Sequence, residues 1–175
     1  MKSLDCQTEV FADDGIFPNS IFPVIIYRNV IHQDEQQIAE QMEEKFFHNS
    51  WTNSWRGGIL SYHHYHSTAH EVLGVIGGSV ILHLGGDQGR VVSLEKGDVV
   101  VIPAGVAHKN VHAEHLEVVG AYYKGKAWDL LRGEAGERPQ ADKNIAQLTS
   151  PEMDPVYGAL GLPELWNDWA ISKMI

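Results

Sequence analysis

The side chains best suited to chemistry in this sequence are three histidines and one glutamate. His64 and His66 are separated by one residue in a segment predicted to be extended, and the two-residue period of extended chain points both imidazoles to the same face. Glu71 follows a short polar stretch, and His108 follows a turn at 103–105 that contains proline and glycine. Neutral imidazoles with one carboxylate suit Mn, Fe, Co, Ni or Zn better than Ca or Mg. The sequence therefore predicts one divalent metal ion per subunit on these residues.

Two further side chains are candidates for proton transfer beside this metal. Tyr62 shares the predicted strand face of His64, and His112 shares the face of His108. Both are therefore predicted catalytic residues. Packing inside the sheet is the alternative role for Tyr62, and a hydrogen bond between two strands is the alternative for His112 and for Asn110, which has the same parity.

Other histidines near the ligands are predicted to lie outside the metal site. His63 falls on the strand face opposite the ligands, together with Tyr65, and His70 directly precedes Glu71. We interpret His63 and His70 as surface histidines or as residues that contact the metal ligands without binding the metal themselves.

A β-rich scaffold must hold these residues. From residue 57 to residue 123, short runs of valine, isoleucine, leucine and tyrosine alternate with glycines, which indicates a series of strands. The glycines at 85–89 predict a hairpin turn, and residues 91–94, 99–102 and 116–123 predict strands. Many short antiparallel strands are typical of a sandwich or barrel, so the predicted fold class is mainly all-β.

The flanks of this region predict a strand and helices. Residues 23–27 suggest an edge strand, and residues 34–48 predict an amphipathic helix capped by Asp34. Its apolar stripe consists of Ile38, Met42, Phe46 and Phe47. Residues 124–144 are predicted to be mostly loop, and the tail around 162–169 is predicted to dock as a short helix.

Composition limits the compartment and the partners. A chain of 175 residues with 43% hydrophobic content suits one domain, 1–175. A net charge of −10 with scattered lysines and arginines excludes nucleic acid as an expected partner. No apolar run is long enough for a membrane span, and the polar, acidic start is unlike a secretory signal. With Cys6 the single cysteine, the expected location is cytoplasmic.

Two spaced motifs carry a family resemblance. One consists of Gly58, His64, His66, Glu71 and Gly78, and the other of Gly97, Pro103, Gly105 and His108. At these spacings the chain resembles the cupin superfamily, and residues 62–74 resemble the small YjlB-type cupins. The family usually has asparagine four residues after the last histidine, where this chain has His112. The resemblance implies a cupin jelly-roll β-barrel around residues 57–123 with a metal inside, an N-terminal strand and helix, and a C-terminal helical tail.

Cupins with this ligand set resemble dioxygenases, decarboxylases and germin-like enzymes, so we expect a metalloenzyme acting on a small oxygenated or carboxylate metabolite. A metal-dependent isomerase or epimerase is the alternative enzyme, and a non-catalytic metal or small-molecule binder is the third. Because a divalent ion with one carboxylate leaves a local charge of about +1, the ligand is expected to be a small anionic chelator.

A homodimer is also expected. The apolar and aromatic side chains predicted to remain on the surface are too many to leave in water. They are Ile59, His63 and Tyr65 on the outer strand face and Leu165, Trp166 and Trp169 in the tail.

Overall fold

The computed structural model describes residues 4–32, 34 and 36–174. Seven strands and three helices occur in these residues. In chain order they are β1 (Gln7–Phe11), β2 (Ser20–Tyr27), α1 (Ile38–His48), β3 (Trp51–Gly57), β4 (Glu71–Leu84), β5 (Arg90–Glu95), β6 (Val99–Ile102), β7 (His108–Tyr123), α2 (Gln140–Gln147) and α3 (Leu162–Met174). Among the described residues, none of the helices has the length and apolar character needed to cross a bilayer.

The seven strands form one antiparallel sheet around the long strand β4. The order is β1-β2-β6-β4-β7-β3, and β5 also pairs with β4. Strands β4 and β7 are 14 and 16 residues long, and shifts of register interrupt their pairing at three places. Such bulges bend long strands and increase their twist. The mainly all-β prediction is confirmed.

Two apolar clusters lie on the two faces of this sheet. Strand β6 shows the division, because Val99 and Val101 belong to one cluster while Val100 and Ile102 belong to the other. This alternation follows from the two-residue period of a strand, which sends successive side chains to opposite faces. All four side chains are buried. The sheet is therefore covered on both faces, which explains why β6 is apolar at every position.

Helices α1 and α3 cover one of the two faces. Ile38, Met42 and Phe46 of α1 are buried in the same cluster as Trp166 of α3. The indole of Trp166 donates a 3.1 Å hydrogen bond to the carbonyl oxygen of Pro23, and its ring stacks on Phe22 at 4.7 Å. The predicted tail helix is confirmed, and so are these three positions of the predicted stripe of α1.

Several predicted boundaries were wrong. Helix α1 begins at Ile38 and has no side-chain cap, so Asp34 does not cap it, and Phe47 is 67% exposed instead of belonging to the stripe. The strand predicted at 23–27 extends back to Ser20, and it is not an edge strand because β1 pairs with its outer side.

The premise of the dimer prediction also changes. Tyr65 and Trp166 are fully buried within the chain, so neither needs a partner subunit to leave water.

Candidate metal centre

Backbone pairing brings the histidines together. His64 and His108 form a bridge in which each N–H donates to the carbonyl oxygen of the other, at 3.1 and 2.9 Å. Their ring centroids are 4.1 Å apart. His66 lies two residues further along the same extended segment, as its spacing predicts. One ring nitrogen of each histidine lies within 4.8 Å of the others, and all three residues are buried. These three histidines could hold a metal ion.

Backbone carbonyl groups fix the orientation of all three rings. His64 Nδ1 lies 3.0 Å from the carbonyl oxygen of Tyr62, and His108 Nδ1 lies 2.9 Å from that of Val106. His66 Nδ1 lies 2.5 Å from the carbonyl oxygen of Asp129. Because a carbonyl oxygen only accepts hydrogen bonds, each Nδ1 carries the proton. When neutral, each ring then presents its Nε2 lone pair, as metal-binding histidines do.

Glu71 places a carboxylate oxygen against these nitrogens. Its Oε2 lies 3.3 Å from His66 Nε2 and 3.2 Å from His108 Nε2. Glu71 is 3% exposed, and Oε2 has no hydrogen-bond partner among the described residues. Buried lone pairs facing one another repel unless a cation lies among them. A divalent metal ion meets this need, so the donor set fits such a group.

The charges of the site agree with this arrangement. Burial and the neighbouring His108 lower the pKa of His64 to about 3, so this ring stays neutral. Burial acts to lower the pKa of His66, but the Glu71 carboxylate outweighs it and the pKa is raised. Burial acts to raise the pKa of Glu71, yet His66 and His108 hold it below its usual range. The carboxylate is therefore ionised and attracts a cation.

A hydrogen-bonded chain behind Glu71 orients its carboxylate. Trp55 Nε1 donates to the Tyr122 hydroxyl at 2.9 Å, and this hydroxyl donates to Glu71 Oε1 at 3.0 Å. Gly120 makes room for the chain, because a Cβ there would lie 2.3 Å from the Trp55 ring. Burial and Glu71 raise the pKa of Tyr122, so its hydroxyl keeps the proton that it donates.

The donor atoms lie in a pocket with apolar walls. Its volume is about 340 Å³, within the range of small-molecule sites. The lining residues besides the three histidines and Glu71 are Trp55, Gly58, Ile59, Leu60, Tyr62, Leu73, Trp128 and Leu130. Tyr62 therefore lines the pocket, and its ring lies 6.0 Å from that of His64. The Arg132 guanidinium lies 4.0 Å from the centre of the Tyr62 ring.

One wall comes from residues 127–131, which we call the wall segment. Asp129 ties it to the segment that carries His64 and His66, because its carboxylate accepts hydrogen bonds from the Ser67 N–H and hydroxyl at 2.6 and 2.5 Å. At its end, Leu131 forms a backbone bridge with Tyr65. Trp128 lies beside His66, with ring centroids 5.5 Å apart. The same segment thus supplies a pocket wall and the carbonyl group that orients His66.

The structure does not bring His112 to this site. Its side chain is 64% exposed and lies 3.5 Å from Glu114. In the pairing with β4, His112 is opposite Ile81 while Asn110 is opposite Leu82, so Val111 is an extra residue on β7. This bulge reverses the strand parity on which the prediction depended. His112 is therefore placed away from the predicted catalytic position.

The other histidines lie behind or beside the site. His63 faces away from the ligands, as predicted, and contacts His83 and Asp87. His70 is buried, and its Nδ1 accepts a 3.0 Å hydrogen bond from the Ala104 N–H. Burial lowers the pKa of His70 to about 4, which keeps it neutral.

Sequence reasoning missed the wall segment and the role of Tyr122. The loop predicted over the wall segment is correct for its backbone, but Trp128 and Asp129 were not identified as site residues. An aromatic residue next to an aspartate in an otherwise polar loop was the available signal. The apolar pattern around Tyr122 predicts only a core residue. Tyr122 lies opposite Glu71 only because of the way β4 pairs with β7, and the local sequence does not contain this pairing.

Solved structures share the double-stranded β-helix with this chain but resemble it weakly. Acireductone dioxygenase from Bacillus anthracis, solved with a cadmium ion in its active centre, is 15% identical with a TM-score of 0.41, over 61% of this chain and 82% of its own. A conserved protein from Klebsiella pneumoniae is 22% identical with a TM-score of 0.37, over 48% and 75%. Likenesses of this size carry no information on activity.

Sequence comparison gives a stronger result. The cupin domain model matches residues 54–120, a range that includes all four clustered side chains. YjlB of Bacillus subtilis (strain 168), itself an uncharacterized protein, is 38% identical over 165 residues, which cover 93% of this chain and 97% of the relative. The protein therefore belongs to the cupin family, in the group that contains YjlB.

Proposed function

We propose that this protein is a metal-dependent enzyme of dioxygenase or decarboxylase type that acts on a small oxygenated or carboxylate metabolite. One divalent ion (Fe, Mn, Ni, Co or Zn) is held by His64, His66, Glu71 and His108. The observation that carries the proposal is the meeting of three buried histidine rings with Glu71 Oε2, which has no hydrogen-bond partner among the described residues, at the wall of a pocket.

A divalent ion held by these residues would act as a Lewis acid toward a chelating oxygen of the substrate. The residues of the chain provide the rest. The backbone carbonyls hold the three imidazoles in one tautomer, and Tyr122 holds the Glu71 carboxylate. The apolar walls limit water around the reacting atoms. Tyr62, whose side chain lines the pocket, is the candidate for proton transfer.

Metal content and turnover test the proposal together. The metal-free protein is reconstituted with each of the five metals, and oxygen consumption and carbon dioxide release are followed with 2-oxo acids and enediols. His66→Ala and His108→Ala should lose most of the metal, and Glu71→Gln should lose less, because one carboxylate is replaced by an isosteric neutral group. His112→Ala is the matched control, since this histidine is exposed and outside the pocket.

Stoichiometric metal in a double variant, His64→Ala with His108→Ala, would exclude the site. Full metal binding with proton exchange but no oxygen or carbon dioxide chemistry would favour the isomerase or epimerase. Tight ligand binding without any turnover would favour the non-catalytic binder.

The proposed assembly is a homodimer of cytoplasmic protein. Exposed apolar side chains on the described surface, among them Ile16, Ile21, Leu160 and Ile171, are consistent with a partner surface. Light scattering at micromolar concentration tests this proposal. A mass of 19.5 kDa would show a monomer and contradict it.

A further inference from the structure

The pocket walls differ in character from the metal ligands. Besides the three histidines, Glu71 and Tyr62, the lining side chains are apolar or aromatic: Trp55, Ile59, Leu60, Leu73, Trp128 and Leu130. Apart from the histidines and Tyr62, Glu71 is the one ionisable side chain among the described lining residues, and its charge is directed at the proposed metal. A second anionic group of a ligand would therefore leave water without a cationic partner in the walls, which is unfavourable.

Trp128 is held in place at the pocket although it is only partly covered. It is 45% exposed, yet its ring stacks on Tyr122 with centroids 6.0 Å apart and planes inclined by 25°. The neighbouring Asp129 fixes the backbone through Ser67 and Thr68. A large aromatic ring that is fixed on one side and open on the other offers a flat apolar surface to a ligand.

We propose that the substrate is amphipathic, with two chelating oxygens at one end and a flat apolar body, aromatic or branched, at the other. This inference rests on the proposed function, because the metal receives the oxygens. The apolar body packs against Trp128, which makes Trp128 a specificity-determining residue. The pocket volume of about 340 Å³ leaves space for such a body, whereas a ligand as small as oxalate would leave most of the apolar wall in contact with water.

Arg132 would favour a different class of ligand, one that carries a second negative charge. Its guanidinium lies over the Tyr62 ring, and it does not line the pocket. Because this cation contacts a lining residue, a ligand with a second carboxylate is the class that it would favour. The test therefore includes such a ligand.

Three 2-oxo acids with the same chelating end separate these classes. Pyruvate has a methyl group, phenylpyruvate has an aromatic ring, and 2-oxoglutarate has a second carboxylate. Calorimetry on the zinc-loaded protein, in which the metal is not redox-active, gives each affinity. We expect phenylpyruvate to bind at least 10-fold more tightly than pyruvate, and 2-oxoglutarate to bind no more tightly than pyruvate. Quenching of tryptophan fluorescence by phenylpyruvate gives a second measurement on the unaltered protein.

Variants of Trp128 test whether this residue causes the preference for phenylpyruvate over pyruvate. Trp128→Ala should weaken phenylpyruvate binding at least 5-fold and change pyruvate binding less than 2-fold. Trp128→Phe, which keeps a flat ring, should restore most of the difference. Trp169→Ala, a tryptophan of α3 that does not line the pocket, is the matched control and should behave like the unaltered protein.

Each result decides the inference. Equal affinity for pyruvate and phenylpyruvate would overturn it, as would tightest binding of 2-oxoglutarate, which would assign Arg132 to a second carboxylate. Phenylpyruvate binding that depends on Trp128 but not on zinc would support the apolar subsite while contradicting the proposed metal function. No binding of any of the three acids would overturn both.

Discussion

Tyr122 and Glu71 face each other across strands β7 and β4, and the Tyr122 hydroxyl donates a 3.0 Å hydrogen bond to Glu71 Oε1. This bond engages one oxygen of the carboxylate and leaves Oε2 directed at His66 and His108. In the proposed site, Glu71 would therefore offer one oxygen, Oε2, to the metal. The indole of Trp55 completes the chain by donating to the same hydroxyl.

Replacing Tyr122 with phenylalanine should therefore weaken metal binding. Removing the hydroxyl frees the Glu71 carboxylate to rotate and leaves the Trp55 N–H without its acceptor. Loss of a group that orients a metal ligand typically lowers metal affinity about 10-fold to 100-fold. Competition with a chromophoric zinc chelator measures the affinity.

Tyr123→Phe is the control for this experiment. Tyr123 is the next residue of β7 and is also buried, but its hydroxyl accepts from the Glu152 N–H, away from the metal site. It should keep the zinc affinity of the unaltered protein. Equal affinity of both variants would show that Tyr122 has no role in holding the ligand.

Metal retention should depend on pH through His66. The pKa of His66 is raised above 6.5 in the folded, metal-free protein because of the nearby Glu71 carboxylate. Since a metal binds only the unprotonated ring, affinity should be constant above this pKa and fall as the pH decreases through it. The pKa of His64 is about 3, so protonation of this ring does not change the zinc affinity near the pKa of His66. Zinc affinity measured between about pH 5 and pH 9 gives the position of the break.

Glu71→Gln distinguishes this cause from acid unfolding. Without the carboxylate, the pKa of His66 should fall, so the break should move to lower pH even though the affinity at high pH is reduced. A break at an unchanged pH would show that another group controls metal retention.

His112→Ala should leave both zinc affinity and turnover unchanged within about 2-fold, because this histidine is exposed and pairs with Glu114.

Tyr62→Phe should keep the metal but lower turnover about 10²-fold or more if its hydroxyl transfers a proton. If the Tyr62→Phe variant is as active as the unaltered protein, Tyr62 does not transfer a proton and only packs against the substrate and Arg132.

Asp154→Asn should destabilise the tail. Asp154 Oδ2 accepts hydrogen bonds from the Tyr27 hydroxyl at 2.5 Å and from the Leu162 N–H at 2.9 Å. An amide would place its own N–H groups against these donors or against those of Val156 and Tyr157 on Oδ1. We expect a loss of about 3 kcal/mol in the free energy of unfolding, measured by urea denaturation of the metal-free protein.

The exposed Asp168 of α3 is the control for this prediction. Asp168→Asn should change the free energy of unfolding by less than about 0.5 kcal/mol. A comparable loss in both variants would show that negative charge, and not the hydrogen bonds of Asp154, stabilises the tail.

The strands that could be predicted are those with strong apolar patterns. The structure has β6 at Val99–Ile102, as predicted, because four consecutive branched residues lie between a glycine turn and a proline. The strands β1 and β3 were missed because most of their residues are polar or exposed. Their place is set by backbone pairing with β2 and β7, which leaves little trace in side-chain type. The single domain over residues 1–175, the homodimer and the cytoplasmic location stay predictions.

The candidate site divides along similar lines. The short spacing from His64 to Glu71 and the turn before His108 are local features, so the sequence indicated all four residues that the structure brings together. The position of His112 depends on the bulge at Val111, which no residue type marks. The contribution of Trp128 depends on pairing with residues about 60 positions earlier, which local patterns do not contain.

The wall segment has a practical consequence for finding a substrate. Trp128 lines the pocket, and the carbonyl of its neighbour Asp129 holds the His66 ring through a 2.5 Å contact. A substrate that shifts this loop would therefore also tilt the ring of His66, one of the proposed metal ligands. If cobalt occupies the proposed site, its visible spectrum should change when a molecule coordinates it or, by shifting the wall segment, moves the His66 ring. Cobalt loading would then give an optical screen for candidate substrates that does not require the reaction to be known.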